Sequence, residues 1–202
     1  PRFAQAAPGY GVVATDIDGD GLVEVVAVQN MFTREPETGL WRGGIGVTLE
    51  YGADGAFRVE PPAETGFLLD GDAKGLTLCD LDGDNRPDFV VCQNNGKLLA
   101  WKNRGDSQPL FSVHLHGSPG NPDGIGARII AHYTDGTIHA AEMTAGNGYL
   151  SQSQPIVYFS AAGTPIRELE IRWPDGETTK VTPDTKSPSI EISKRLLSKT
   201  AR

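Results

Sequence analysis

The chain has 202 residues, with 18 basic and 26 acidic side chains and a net charge of −8. An acidic chain without a basic stripe argues against a nucleic-acid surface, and no apolar run approaches the length of a membrane span. Twenty-five Gly and 14 Pro suit turn-rich β structure, and the length admits one or two domains, each with a core. The chain opens Pro1-Arg2-Phe3 without Met, which is expected of a fragment or a processed mature chain.

The first predicted element is the short apolar run Gly11-Val12-Val13-Ala14, followed by Asp16-Ile17-Asp18-Gly19-Asp20-Gly21-Leu22-Val23-Glu24 and then Val25-Val26-Ala27-Val28. Apolar, β-branched runs bounded by turn residues read as buried strands, so the unit is strand, acidic loop, strand. Glu50 to Phe57 reads as a hairpin turning at Asp54-Gly55. The unit then recurs 64 residues on. Gly75-Leu76-Thr77-Leu78 precedes Asp80-Leu81-Asp82-Gly83-Asp84-Asn85-Arg86-Pro87-Asp88, and Phe89-Val90-Val91-Cys92 follows it. Lys97 to Asn103 supplies a third strand to this copy. Pro87 stands where a strand begins, a place proline tolerates. Both copies end in Gln-Asn, at Gln29-Asn30 and Gln93-Asn94.

In both loops carboxylates occupy positions 1, 3, 5 and 9: Asp16, Asp18, Asp20 and Glu24, then Asp80, Asp82, Asp84 and Asp88. Four carboxylates in nine residues repel one another unless a cation lies between them. Hard oxygen ligands suit Ca²⁺, which takes six to eight of them. The backbone carbonyl of position 7, Leu22 or Arg86, can complete each set. Two Ca²⁺ sites are therefore expected. An EF-hand needs a bidentate Glu at position 12, where this chain has Ala27 and Val91. Position 6 must turn tightly, and Gly21 and Asn85 both tolerate positive φ. Charge follows the loops. Residues 1–110 hold 9 basic and 17 acidic side chains, whereas residues 111–202 hold 9 of each, so two bound Ca²⁺ would halve the net charge.

One strand–loop–strand unit per repeat at this period fits β-propeller blades. A regular hairpin around the second loop sets Cys79 opposite Phe89, with the Cys92 side chain three residues on and pointing to the other face. A disulfide between the two is disfavoured on that geometry. Asp70 and Asp72, just before the second loop, could supply an outer ligand, but a solvated turn is the simpler reading.

The second half reads as all-β on its own. Ile129 to Tyr133 and Ile138 to Met143 flank Asp135-Gly136, and Ile166 to Trp173 and Thr178 to Val181 flank Asp175-Gly176. Ile156 to Phe159 adds a strand. Leu169, Ile171 and Trp173 alternate with Glu168, Glu170 and Arg172, so one face is buried and one is wet. A sandwich of about seven strands is expected. No helical stretch stands out except a basic tail, Lys194 to Arg202.

The loops and their flanks resemble FG-GAP/VCBS-type repeats, whose likeness implies the same eight carboxylates as Ca²⁺ ligands. Glu24 departs from the usual Asp at position 9. Residues 120–181, with Asp123-Gly124-Ile125-Gly126-Ala127-Arg128, Gly148-Tyr149-Leu150-Ser151-Gln152 and Arg172-Trp173-Pro174-Asp175-Gly176, resemble the ASPIC/UnbV domain. That domain follows such repeats in cartilage acidic protein-like and bacterial secreted proteins. The combined reading is all-β: residues 1–110 carry two propeller-type blades (about 9–66 and 70–106), residues 111–185 a β-sandwich-like domain, and residues 186–202 the basic tail. The resemblance carries no catalytic residue.

Other constellations are weaker. His114 and His116 can share a strand face and bind a transition metal, and His132 and His139 can pair across the Asp135 hairpin, but ordinary strand histidines and packing explain them more simply. Asn147, Tyr149, Ser151 and Gln152 form a candidate recognition loop for protein or glycan; equally, Gly148 turns the chain and Tyr149 plugs the core. The leading expectation is a non-enzymatic, extracellular or cell-surface calcium-binding module for recognition or adhesion, the periplasm being compatible. A structural subunit that self-associates through open β edges and the accessory part of a larger carbohydrate-active enzyme are the alternatives.

Overall fold

Short apolar runs separated by Asp-Gly and Asn-containing turns leave the chain few options besides antiparallel pairing. The computed structural model describes residues 1–35, 37, 39–52, 54–104, 108–184 and 186–194, and they are all-β. They divide into two units: residues 1–108 with 146–154, and residues 109–145 with the described part of 155–202.

In the first unit, β1 (Gly9–Thr15) and β2 (Glu24–Gln29) flank the first acidic loop. A small ribbon of β3 (Met31–Glu35) and β4 (Gly39–Trp41) follows, which the sequence reading lacked. β5 (Val47–Tyr51) and β6 (Phe57–Glu60) form the expected hairpin and complete a sheet of order β1-β2-β5-β6. A one-turn helix, α1 (Pro62–Thr65), was not foreseen; Pro62 opens it and Gly66 ends it, the usual asymmetry of helix punctuation. β7 (Ala73–Cys79), β8 (Asp88–Gln93) and β9 (Leu99–Trp101) form the second sheet, the second acidic loop lying between β7 and β8. All these pairings are antiparallel. Each sheet is open, and no ring is closed among the described strands.

Val13, Val26, Val28, Leu76, Phe89 and Val91 share the core of this unit. Contact between β1 and β7 requires a residue without a side chain at position 11. A Cβ on Gly11 would lie 2.6 Å from the Leu76 backbone nitrogen and 2.7 Å from its Cβ. Gly11→Ala is therefore expected to lower stability by about 1–3 kcal/mol, the usual range for overpacking. Urea unfolding checks this, and an unchanged midpoint contradicts the close approach.

Both loops close one residue earlier than a regular nine-residue turn would. Thr15 pairs with Glu24, and Cys79 pairs with Asp88 rather than Phe89. Position 9 thus belongs to the second strand, because its carboxylate turns inward. Cys92 lies opposite Gly75, and both cysteines are free thiols. Burial pushes the Cys79 thiol up, the carboxylates of Asp88 and Asp80 adding to the effect.

In the second unit, β10 (Leu110–His116), β11 (Arg128–Tyr133), β12 (Ile138–Glu142), β13 (Ile156–Ser160), β14 (Ile166–Arg172), β15 (Thr178–Val181) and β16 (Ser189–Ser193) build two sheets. Their orders are β13-β10-β16 and β12-β11-β14-β15. Val113, Ile129, Ala131, Leu169 and Ile171, none of them exposed, join the two sheets around one core. The strand number is the expected one, about seven, in two open sheets. β16 was not foreseen; it runs parallel to β10. His132 and His139 do not pair: the register sets Ala131 opposite His139 and His132 opposite Ile138. The His139 ring packs on Tyr133 instead, at 5.2 Å between centroids. The described residues contain no helix long and apolar enough to cross a membrane. Of the segment 186–202 expected as a basic tail, Ser189–Ser193 form β16 instead, and residues 195–202 lie outside the described residues.

Candidate metal centre

The two acidic loops share most of their hydrogen bonds; they differ at position 5, where Asp20 N donates to Asp18 but Asp84 N donates to Asp80. At position 1, Asp16 accepts from Gly19 N at 2.6 Å and Gly21 N at 3.0 Å. Asp80 accepts from Gly83 N at 2.8 Å and Asn85 N at 2.9 Å. At position 9, Glu24 accepts from Ile17 N at 2.7 Å, and Asp88 from Leu81 N at 2.9 Å. The turn residues comply: Gly21 has φ 90° and Asn85 φ 62°, and position 4 is left-handed in both copies. The local sequence therefore fixes the carboxylates in one arrangement, twice.

Within each loop, three carboxylates converge. One oxygen each from Asp16, Asp18 and Glu24 lies within 4.8 Å of the others, and the same holds for Asp80, Asp82 and Asp88. Asp20 and Asp84 fall outside these groups. They instead accept from the backbone two residues on, Leu22 N at 2.7 Å and Arg86 N at 3.0 Å.

Burial separates the members of each set. Asp16, Glu24 and Asp88 are 7%, 5% and 0% exposed, whereas Asp18, Asp20, Asp82 and Asp84 reach solvent more readily. Loss of water pushes the Glu24 carboxyl up to about 8, and the charges of Asp18, Asp16 and Asp20 add to the shift. Burial likewise raises Asp16 to about 6, against the pull of its two backbone hydrogen bonds. Among the described residues no basic side chain pairs with the first loop. The second loop has Lys102, whose ammonium contacts Asp82 and lies 3.5 Å from Asp84.

Asn103 ties the two loops together. Its backbone N–H donates to Asp88 at 2.8 Å, and its side-chain amide donates to the Ile17 carbonyl at 2.9 Å. Asn103→Ala removes the second bond and strands a half-buried carbonyl. It is expected to destabilise the chain by about 1–2 kcal/mol, read by urea unfolding; no loss would show that the bridge carries no energy.

The Gln-Asn pairs after the loops also have structural work. Asn30 is fully buried and binds Gly44 on both amide atoms, at 2.8 and 2.9 Å, and the Gly71 carbonyl at 3.0 Å. Its own carbonyl accepts from Lys74 at 2.6 Å. Lys74 pairs at 2.7 Å with Asp72, which is 5% exposed. Asp72 is therefore a buried ion-pair partner, not part of a solvated turn, because Lys74 supplies the charge that lets it leave water.

The candidate recognition loop folds onto β7 as a strap within the first unit. Thr77 donates to the Gln152 carbonyl at 2.6 Å, the Ser151 hydroxyl donates to the Leu76 carbonyl at 2.9 Å, and Gln154 N donates to Leu78 O at 2.8 Å. Asn147 accepts from Ser153 N at 2.9 Å. Ser151 and Asn147 thus hold the strap in place. Tyr149 does not plug the core; it is 46% exposed, its ring 5.1 Å from that of Tyr10. His114 and His116 share a face of β10 but bond separately, His114 to Ser112 and His116 to Glu191, both at 3.3 Å.

Comparison with known proteins addresses the family likeness. Residues 117–195 match the family described as ASPIC and UnbV. Over 182 residues the chain is 22% identical to cartilage acidic protein 1 of Mus musculus, covering 88% of this chain and 27% of that protein. The Xenopus tropicalis protein of the same name is 26% identical over 180 residues, covering 87% of this chain and 27% of its own length. The Homo sapiens protein is 21% identical over 182 residues, covering 88% and 26%. The chain spans about a quarter of the length of these curated relatives.

Proposed function

We propose that the chain is a non-enzymatic, extracellular calcium-binding module whose loops stiffen a surface for recognition or adhesion. The observation that carries this reading is the duplicate loop geometry, with its convergent and partly buried carboxylates. Carboxylates removed from water and set against one another need a counter-charge, and a hard divalent cation meets an all-oxygen set. Asp16, Asp18, Asp20 and Glu24 with the Leu22 carbonyl would hold one ion. Asp80, Asp82, Asp84 and Asp88 with the Arg86 carbonyl would hold the other. The cation neutralises each loop and fastens one strand to the next, β1 to β2 and β7 to β8.

The strand–loop–strand units are read as FG-GAP/VCBS-type blades on the strength of their matching loops. An extracellular setting agrees with the ASPIC/UnbV match, with relatives named for cartilage, and with the calcium available outside cells. Recognition draws support from the strap, where Tyr149 and Leu150 face solvent, Leu150 82% exposed and held at φ 50°. Such strain in a non-glycine residue gathers at functional surfaces.

The test is binding of the immobilised chain to arrays of matrix proteins and glycans, with calcium and with chelator. Binding that needs calcium and is lost on Tyr149→Ala supports the reading. Binding indifferent to both, or turnover of any glycan, contradicts it.

A further inference from the structure

A cavity of about 500 Å³ lies in the first unit, between its two sheets and beneath α1. Two rows of cross-strand partners face each other across it. The register places Val26, Thr48 and Glu60 side by side on β2, β5 and β6, and directly paired residues share a face. The opposite wall carries Phe89 and its partner Trp101. Phe67 extends this wall, its ring 4.9 Å from Trp101 and 6.1 Å from Phe89. The Trp101 indole is fixed by a 3.2 Å bond to the Gly66 carbonyl. The volume falls within the range of ordinary small-molecule sites.

Four carboxylates line this cavity, Asp18 and Glu24 of the first loop and Glu60 and Glu64 beside them. Thr48 is 7% exposed, and its hydroxyl has no hydrogen-bond partner among the described residues. Neither the Glu60 nor the Glu64 carboxylate has an ion-pair partner there. Burial raises the Glu60 carboxyl, with further pressure from Glu50, Asp18 and Glu64. Of the two bases lining the cavity, Lys102 is engaged by Asp82 and Asp84, and Arg104 is exposed. An apolar and aromatic wall facing an uncompensated carboxylate suits an aliphatic stem that ends in a positive charge. Trp is the strongest aromatic partner for a cation.

We propose that this cavity binds an organic cation, a primary ammonium or guanidinium on an aliphatic stem. The stem packs on Val26, Phe89 and Trp101, and the cationic head meets Glu60, with the Thr48 hydroxyl beside it. The guest is either a free amine or the side chain of a lysine or arginine in a peptide. Asp18 and Glu24 of the first loop also line this cavity, so binding is measured at saturating calcium, which engages those two carboxylates and leaves Glu60 to the guest.

Isothermal titration with n-pentylammonium, with Nα-acetyl-lysine N-methylamide and with n-pentanol tests the proposal. Saturable binding of at least one cation is expected, together with at least tenfold weaker binding of n-pentanol. Glu60→Gln is expected to weaken the cation at least tenfold. Glu64→Gln, on the short surface helix, keeps the test open should the first variant fold poorly, with a loss of about threefold or more. Tighter binding of the blocked lysine assigns a peptide side chain, and tighter binding of the alkylamine assigns a free amine. Absence of binding by both cations, equal binding of n-pentanol, or affinity unchanged in folded Glu60→Gln and Glu64→Gln overturns the proposal.

Discussion

Excess chelator is expected to lower the melting temperature of the calcium-saturated chain by about 10 °C or more. A ligand at 100 times its Kd stabilises a folded state by about 2.7 kcal/mol, so two sites contribute about 5 kcal/mol. For a chain of this size each kcal/mol moves the midpoint by roughly 2–4 °C. The effect arises because unfolding disperses the three convergent carboxylates of each loop and so destroys both sites. Asp16→Asn and Asp80→Asn, each at position 1, should each remove part of the shift, and together nearly all of it. Differential scanning calorimetry with calcium and with chelator reads this directly, and coincident transitions would contradict it.

A second large effect concerns pH in the calcium-free chain. The folded Glu24 carboxyl titrates near 8 and that of Asp16 near 6, above their ordinary values of 4.5 and 3.8. A raised acid binds its proton more tightly folded than unfolded, so the folded state holds more protons across this window and stability falls as pH rises. The calcium-free chain should therefore be more stable near pH 5 than near pH 8, by a few kcal/mol at about 1.4 kcal/mol per pKa unit. Glu24→Gln keeps an acceptor for the Ile17 N–H but removes the charge. It should stabilise the calcium-free chain at pH 8 and destabilise the calcium-loaded one, a reversal that loss of packing alone does not produce. Denaturant unfolding at both pH values, with and without calcium, checks the sign. Destabilisation in both states would show Glu24 to be a packing residue only.

The loops were legible in the sequence because everything that shapes them is local. The position-1 carboxylate caps N–H groups three and five residues on, and the turn residues, Gly21 and Asn85, lie inside the same nine residues. Strands with strict alternation, such as Leu169-Glu170-Ile171, were legible for the same reason. What the sequence hid depends on distant partners. Asp72 looks solvated until Lys74 and the Asn30 carbonyl are seen beside it. Asn103 looks like a strand end until its amide reaches Ile17, 86 residues away. The strap at 146–154 belongs by sequence to the second half, yet its bonds run to Leu76, Thr77 and Leu78. The closing pair of the second loop is Cys79 with Asp88 rather than with Phe89, and the burial of Asp88 that accompanies it depends on packing the sequence does not display. Asp20 and Asp84 each use one carboxylate oxygen to accept from the backbone two residues on, a bond the spacing alone did not reveal.

We read each acidic loop as a holder for one divalent cation. Calcium titration of the metal-stripped chain by isothermal calorimetry tests it most directly. Two ions per chain are expected, falling to one in Asp16→Asn or Asp80→Asn and to none in the double variant. A chain that takes up no calcium while remaining folded, or whose uptake ignores both substitutions, would contradict it.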